Sequence, residues 1–194
     1  MKGRFQVIAI TLLCSLFFSI SMLQAQEPEK EMTRKEKKAL KKKQREESEK
    51  LQFDKASNAL KNDRWVLEAN TVYNKRGQSL QVTSNTNFVT VQGEDVYVQL
   101  AFTNFVGGPN GIGGITLKGR QTKKELNTDK HGNVTLRMSV IGNALTVDIT
   151  VNLTTGGNYA DATVEAITRG TRLRFSGNLF DIAESTYYKS GMDF

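Results

Sequence analysis

Val96-Tyr-Val-Gln-Leu-Ala-Phe-Thr-Asn-Phe-Val-Gly-Gly-Pro-Asn-Gly-Ile-Gly-Gly-Ile-Thr-Leu117 carries the decisive pattern of this chain. Val96, Val98, Leu100 and Phe102 alternate with Tyr97, Gln99 and Ala101. A period of two marks a strand with one apolar face. Five glycines and a proline then fill the eight residues from Gly107 to Gly114. Such a run favours turns, close backbone approach and positive φ, with a bulge expected at Gly113-Gly114. Apolar character resumes at Ile115 to Leu117 as a second strand. The stretch therefore reads as a strand, a backbone-driven connection and a strand.

The same grammar extends outward. Trp65, Leu67, Ala69, Thr71 and Tyr73 alternate with Val66, Glu68, Asn70 and Val72, and Asn74-Lys-Arg-Gly77 reads as a turn. Leu80 and Val82 mark a second strand and Phe88 to Val91 a third, followed by the hairpin loop Gln92-Gly-Glu-Asp95. Beyond the glycine stretch comes a polar strand around Gln121 to Leu126, then a turn at Asp129-Lys-His-Gly-Asn133. Val134 to Ile141 and Leu145 to Asn152 form a hairpin across Gly142-Asn143. Tyr159 to Thr168 and Thr171 to Ser176 follow the Gly156-Gly157 turn. Nine or ten short strands and no helical periodicity after residue 62 predict an all-β antiparallel meander, closed into a small barrel or folded as a sandwich. Leu51, Phe53, Ala56, Ala59 and Leu60 predict one helix ahead of it, over 45–61. Its Ala56 and Ala59 are expected to meet the small row Ala160 and Ala162.

The N-terminus reads as an address. Lys2 and Arg4 precede an apolar run from Phe5 to Met22, and Leu23-Gln-Ala25 ends in a small residue. This is the layout of a secretory signal peptide over 1–25, with an uncleaved anchor as the rival reading. Localisation in the periplasm or at the cell surface follows. Cys14, the only cysteine, lies in the middle of that run, away from a lipidation position, so a chain cleaved after Ala25 carries no thiol. Residues 26–50 are a charged, low-complexity linker or helix, and 51–194 a single β-rich domain. The formal charge of +7 becomes +5 once Lys2 and Arg4 are removed, and most of the remainder sits in the linker. Residues 30–45 suit electrostatic contact with a membrane surface or an acidic polysaccharide. Export argues against nucleic acid, the usual partner of lysine runs.

The glycine stretch is not a nucleotide cradle. Thr116 stands where the dinucleotide fingerprint needs glycine, Arg120-Gln121 where the phosphate-binding loop needs Lys-Ser/Thr, and no helix follows. Its expected role is conformational, with Phe102, Asn104, Phe105 and Asn110 as candidate contacts for a ligand or partner at the rim of a cleft. His131, the single histidine, falls in a turn and reads as solvated. Without cysteine or a second histidine, a metal site is not expected, and no triad motif accompanies His131. Glu68, Asp148, Asp161 and Glu165 are the strand carboxylates that could form a hydrolytic pair. Asp148 and Asp161 oppose apolar rows, as solvent-facing residues do. No catalytic residue and no cofactor is assigned.

Val98-Gln-Leu100, Gly108-Pro-Asn-Gly-Ile-Gly-Gly-Ile-Thr-Leu-Lys-Gly119, Tyr159-Ala-Asp-Ala-Thr-Val164, Arg172-Leu-Arg-Phe-Ser-Gly-Asn-Leu179 and Ser185-Thr-Tyr-Tyr-Lys-Ser-Gly191 together carry a resemblance. Over roughly 50–191 the chain resembles DUF4251, a family of exported Bacteroidetes domains of unknown function. The resemblance implies export and a compact domain, and supplies no catalytic residues. The expected function is a non-enzymatic binding or interaction module of the cell envelope. The alternative is a small hydrophobic-ligand carrier with a barrel cavity lined by Phe88, Val98, Leu100 and Phe102, followed by a carboxylate-based hydrolase. An envelope protein, a polysaccharide or a small ligand is the expected partner.

Overall fold

The computed structural model describes residues 33–102, 113–142, 145–167 and 170–187. The signal segment, Cys14, Asn104, Phe105 and Asn110 lie outside them. Two compact units divide between Lys42 and Lys43. The helix α1, Arg34–Lys61, spans that division. It begins eleven residues before the expected start, and local chemistry explains why. Thr33 and Glu36 form a reciprocal cap: the Thr33 backbone N–H donates to Glu36 Oε2 at 2.8 Å and the Glu36 N–H to Thr33 Oγ1 at 3.3 Å. Farther along, Arg45 pairs with Glu49 at 2.6 Å and Lys43 with Glu47 at 3.9 Å, both at i,i+4 spacing. These supports hold a helix that is polar around most of its surface. Among the described residues, no helix is long and apolar enough to cross a membrane.

In the second unit the strands are β1 Arg64–Asn74, β2 Ser79–Gln81, β3 Phe88–Gln92, β4 Asp95–Leu100 and β5 Ile115–Thr128. They continue with β6 Val134–Gly142, β7 Thr146–Leu153, β8 Tyr159–Ala166 and β9 Thr171–Asp181. All pair antiparallel with their neighbours, and β1 also pairs with β9. That last pairing closes eight strands into a barrel, with β2 as a short addition beside the end of β1. The two strands expected at Ile115–Leu117 and Gln121–Leu126 are one, β5, with a bulge between Gln121 and Lys123. β9 runs on to Asp181 and so carries Leu179.

The inward rows of seven barrel strands form one buried cluster that includes Trp65, Leu67, Val91, Leu136, Ile149, Leu153 and Phe175, with Leu117 and Leu126 of β5 packed half-buried against it. Ala56, Ala59 and Leu60 of α1 and Ala160 and Ala162 of β8 belong to the same cluster, so the expected alanine row is buried with the helix alanines rather than solvated. Lys124 holds this end. Its Nζ donates to the Leu60 and Lys61 carbonyl oxygens at 3.1 Å each, and pairs with Asp63 Oδ1 at 2.6 Å. The last helical carbonyls thus gain a cation where the helix dipole favours one. Asp63 turns the chain into β1 with a positive φ of 53°.

A second cluster lies on the outside of the barrel. Val66, Phe88 and Tyr97 are buried there beneath Phe180 and Tyr187. The 3-10 turn Ile182–Glu184, capped by the Asp181 carboxylate on the Ala183 N–H at 2.9 Å, leads the chain out of β9. Ser185 then donates its hydroxyl to Glu68, and the Thr186 N–H reaches the same oxygen at 3.1 Å. Tyr187 meets Phe88 edge-on, with centroids 4.9 Å apart. The C-terminal segment therefore straps the outer face of β1 and β3.

Closure has a steric requirement at Gly177. A Cβ there would fall on the Glu68 carbonyl oxygen and crowd the Ala69 Cα, both backbone atoms of β1. Gly177→Ala is expected to cost about 3 kcal/mol, as overpacking against backbone does. For a chain of this length that lowers the thermal midpoint by about 6–12 °C, measurable by circular dichroism.

Candidate functional site

Strand direction sorts the connections into two ends. At one end lie α1, the β3–β4 hairpin, the Asp129–Asn133 turn, the β7–β8 connection and the 3-10 turn. At the other, the loop end, lie the β1–β2 turn, the roots of the glycine stretch after β4 and before β5, and the ends of the β6–β7 and β8–β9 hairpins. The helix end is sealed: Leu60, Trp65, Leu67, Leu136 and Leu153 are all 0% exposed. A hole wide enough for a water molecule would expose its lining, so the interior there is filled. At the loop end the inward rows are buried as well, with Val140 and Phe175 at 0% and the others only slightly touched by solvent. Val72, Val98, Leu100, Val164 and Ala166 are each 5–8% exposed, and Phe102, Leu117, Leu145 and Leu173 pack on them while still half-buried.

Phe102 is packed half-buried on the inward rows at this end. Phe88 is not. It pairs with Gln99 across β3–β4 and with Glu68 across β1–β3. Directly paired residues share a face, so Phe88 points away from Val98 and Leu100 and under Tyr187. The cavity expected from Phe88, Val98, Leu100 and Phe102 is therefore not formed as a set. All four residues from Phe88 to Val91 are buried, which erases the alternation that would have revealed this.

The loop end carries exposed apolar side chains on both faces of the sheet, Ile141 and Ile167 standing on the outward one. Seven large hydrophobic side chains are exposed among the described residues, and four of them, Leu80, Ile115, Ile141 and Ile167, stand at the loop end. Leu80 pairs with Val72 and Ile115 with Leu100, which puts both on the inward side of the sheet. They are 50% and 52% exposed, and Ile167 is 59% exposed. Beside Leu80 opens a cleft of about 330 Å³ lined by Asn74, Lys75, Arg76, Gln78, Thr171, Arg172 and Leu173.

The cleft is built on a stiff turn. Asn74 Oδ1 accepts from the Arg76 and Gln78 backbone N–H groups at 2.9 and 3.1 Å, and its Nδ2 donates to Gln78 Oε1 at 2.7 Å. The side chain thus substitutes for a backbone turn partner. On the opposite wall Arg172 is held by Glu165 at 3.0 Å, and the Arg174 guanidinium lies 4.0 Å from the Tyr73 ring centroid. Among the described residues no carboxylate lies within ion-pair distance of Lys75 or Arg76. The cleft therefore offers two uncompensated cations and a third that is shared.

The glycine stretch is anchored at its roots. Gly114 approaches the Leu100 carbonyl so closely that a Cβ would overlap it, and Gly113 adopts φ 78°. These are the close approach and positive φ expected there. Asn87, fully buried, fixes the other root. Its Oδ1 accepts from the Ala101 N–H at 2.8 Å and its Nδ2 donates to the Thr83 carbonyl at 3.0 Å.

The other expected chemistries are dispersed. His131 is exposed in its turn, and its backbone N–H donates to Asp129 Oδ1 at 2.8 Å. Asp129 is held below its usual carboxyl range first by the Asn133 side chain, which donates to it at 2.8 Å. Asp148 accepts from Ser139 at 2.7 Å, Asp161 accepts from Ser176, and Glu68 receives the strap. A second cleft, about 270 Å³, lies at the helix end among Gln52, Lys55, Asn158, Leu179, Phe180 and Glu184, crossed by a 2.6 Å Lys55–Glu184 ion pair. Neither cleft is lined by Glu68, Asp148, Asp161 or Glu165. Among the described residues no three metal-ligating side chains cluster.

The architecture defines a class: an eight-stranded antiparallel barrel with one N-terminal helix. The model of the domain of unknown function DUF4251 matches residues 47–179, and the chain belongs to that family. It is similar to the crystal structure of a DUF4251 family protein from Bacteroides eggerthii, with 38% identity and a TM-score of 0.62. The match covers 72% of this chain and 94% of that one. No curated protein matches the chain.

The residues that sequence reading missed are Lys75, Arg76, Leu80, Ile115, Ile167 and Arg172. Each stands singly beside a turn, and only the strand register gathers them. Asn87→Ala is expected to strand the buried Ala101 N–H and cost about 1–3 kcal/mol. Urea unfolding measures the loss, and faster amide exchange at Ala101 marks its origin.

Proposed function

We propose that the protein is a non-enzymatic binding module of the cell envelope, exported through its N-terminal signal, and that it binds at the loop end of the barrel. The observation that carries this reading is the contrast between the two ends. The helix end is filled and sealed, whereas the loop end carries the exposed side chains of Leu80, Ile115, Ile141 and Ile167 and a cationic cleft. Clefts where apolar side chains meet a few convergent polar groups are a common place for ligand sites. The candidate contact Phe102 supports the same end. Asn104, Phe105 and Asn110 follow it in the chain. The lysine-rich start of α1 would add attraction to an anionic surface, a sequence-independent and salt-sensitive contribution.

Two measurements test this. The first addresses export. Protein recovered from the envelope of expressing cells is expected to begin at Gln26, and an N-terminus at Met1 in a cytoplasmic fraction would overturn the envelope assignment. The second addresses the face. Retention of the purified protein on native envelope preparations is expected to fall about tenfold, or 1.4 kcal/mol, in the Leu80→Asp and Ile115→Asp variants. Tyr159→Asp, an exposed substitution at the helix end, should leave retention unchanged. Equal retention of all three variants and the parent would remove the loop end as the binding face.

A further inference from the structure

Three properties of the cleft between the β1–β2 turn and the start of β9 define what it can hold. The first is its charge. Lys75 and Arg76 have no carboxylate within ion-pair distance among the described residues, and Arg172 meets Glu165 through Nη2 at 3.0 Å. One carboxylate therefore faces three cations. The second is the state of the backbone in the turn. Asn74 Oδ1 takes the Arg76 and Gln78 N–H groups, and the Gly77 N–H donates to the Asn74 carbonyl at 3.0 Å. These N–H groups are spent inside the turn, which leaves no nest of donors for a bare phosphate. Recognition falls to side chains. The third is their mixture. Among the described residues the Gln78 amide nitrogen and the Thr171 hydroxyl have no partner, and both residues line the cleft. Leu173 lines it too, while packing on the barrel core. Cations, neutral donors and a small apolar surface thus converge around about 330 Å³, more room than an inorganic anion fills.

From this we infer that the cleft binds an acidic saccharide, its carboxylate or phosphate against Lys75, Arg76 and Arg172, its hydroxyls on Gln78 and Thr171, and a C–H face of its ring on Leu173. The inference rests on the reading of the loop end as the binding face and names the ligand class for it. A sugar ring presents hydroxyls and an apolar face together, which is the combination that this cleft offers. An inorganic anion would use the cations and leave Leu173 uncovered. An acidic peptide would bring N–H and C=O groups for which the cleft has no main-chain partner. A neutral saccharide would leave Lys75 and Arg76 without a counter-charge. Gln78 is held by Asn74 and Arg172 by Glu165, so these two side chains need little ordering when a ligand arrives. Lys75 and Arg76 are exposed, and their attraction is therefore screened by salt.

Trigalacturonate, maltotriose, triglutamate, inorganic phosphate and phosphatidylglycerol vesicles are the probes, each titrated by calorimetry against the full chain purified from expressing cells. Trigalacturonate is expected to bind saturably, and about tenfold or more tightly than either maltotriose or triglutamate. Maltotriose has the same number of rings without the charge, and triglutamate has the charge without the rings. Phosphate should compete only weakly, and affinity for trigalacturonate should fall as salt is raised. The double variant Lys75→Glu/Arg76→Glu should weaken trigalacturonate about tenfold. Thr171→Val, which removes a hydroxyl and no charge, should weaken it less and keep the salt dependence. Glu165→Gln, which keeps an acceptor for Arg172 and removes the competing charge, should tighten it, a gain that misfolding does not produce. All four positions lie at the surface, and unchanged circular dichroism confirms that each variant is folded. Equal affinity for trigalacturonate and either maltotriose or triglutamate, or indifference to the double variant, would overturn the inference. Vesicle binding that the double variant abolishes, without trigalacturonate binding, would also overturn it and assign the cations to a lipid surface. If trigalacturonate fails while envelope retention still depends on Leu80 and Ile115, the ligand class falls and the binding face stands; if both fail, both fall.

Discussion

The β1–β9 seam is the interaction on which everything else depends. Nine register pairs join Trp65–Asn74 to Leu173–Asp181, with one shift where Asn70 is extra. That bulge coincides with a change of partner on the other side of β1. Up to Glu68 the strand pairs with β3, and from Thr71 onward with β2. Between them, the Ala69 N–H donates to the Asn87 carbonyl and the Val82 N–H to the Asn70 carbonyl, both at 2.9 Å. One inserted residue therefore bends β1, lets it serve two neighbours, and keeps its other edge continuous with β9. Bulges at barrel corners do this by increasing local twist. Gly177 completes the arrangement, because only a residue without Cβ lets β9 lie against the bent strand.

Closure also decides where function can reside. An eight-stranded barrel has an interior just wide enough to be filled by side chains or to hold one small ligand. Here Trp65, Leu67, Leu136, Ile149 and Leu153 fill the half nearest the helix. Toward the loop end Phe175 pairs with Val72, and Leu100, Val140 and Val147 are buried with them beneath half-buried Phe102, Leu117, Leu145 and Leu173. The core thus runs the length of the barrel, and Leu80, Ile115, Ile141 and Ile167 stand exposed at its loop end. The strap over Phe88 has the complementary effect on the outside, withdrawing an apolar patch from solvent and leaving the loop end with four of the exposed hydrophobics.

Much of the fold was legible in the sequence, for local reasons. The alternations in β6, β7 and β8 are strict because each has one core face and one wet face, and those of β1 and β4 were readable from residue type although the strap and β3 bury part of their outer side. The β6–β7 and β7–β8 connections followed from the turn residues that end β6 at Gly142 and stand at Gly156-Gly157. The class followed from these, and the family resemblance from the motifs through the glycine stretch, β8, β9 and the terminal segment. What escaped was set by tertiary context. The start of α1 carries no periodic signal, since a helix polar on most faces shows none, although Thr33-Arg-Lys-Glu36 spells a capping box. Phe88 was assigned to the wrong face because β3 is buried on both sides, and the strap that buries its outer side lies about a hundred residues away in the chain. The closing pair β1–β9 joins the first strand to the last, and no local pattern encodes it.

The site was less legible than the fold, and the same physics explains the difference. A core position is declared by its neighbours at i±2, because a whole row must be apolar. A rim position answers to no row. Leu80, Ile115 and Ile167 are each one aliphatic residue at a strand end, unremarkable in sequence and adjacent only once eight strands have closed. Lys75 and Arg76 look like ordinary turn residues until the Asn74 side chain fixes the turn and β9 brings Arg172 opposite. The glycine stretch drew attention for its composition, yet its visible contribution lies at its roots, where Gly114 packs on Leu100 and Asn87 holds Ala101. Those contacts pin the ends of β4 and β5 and thereby position Leu100, Phe102 and Ile115 at the loop end. Gly113 and Gly114 are thus tied to the loop end through the backbone they place, and the side chains available for recognition belong to their neighbours.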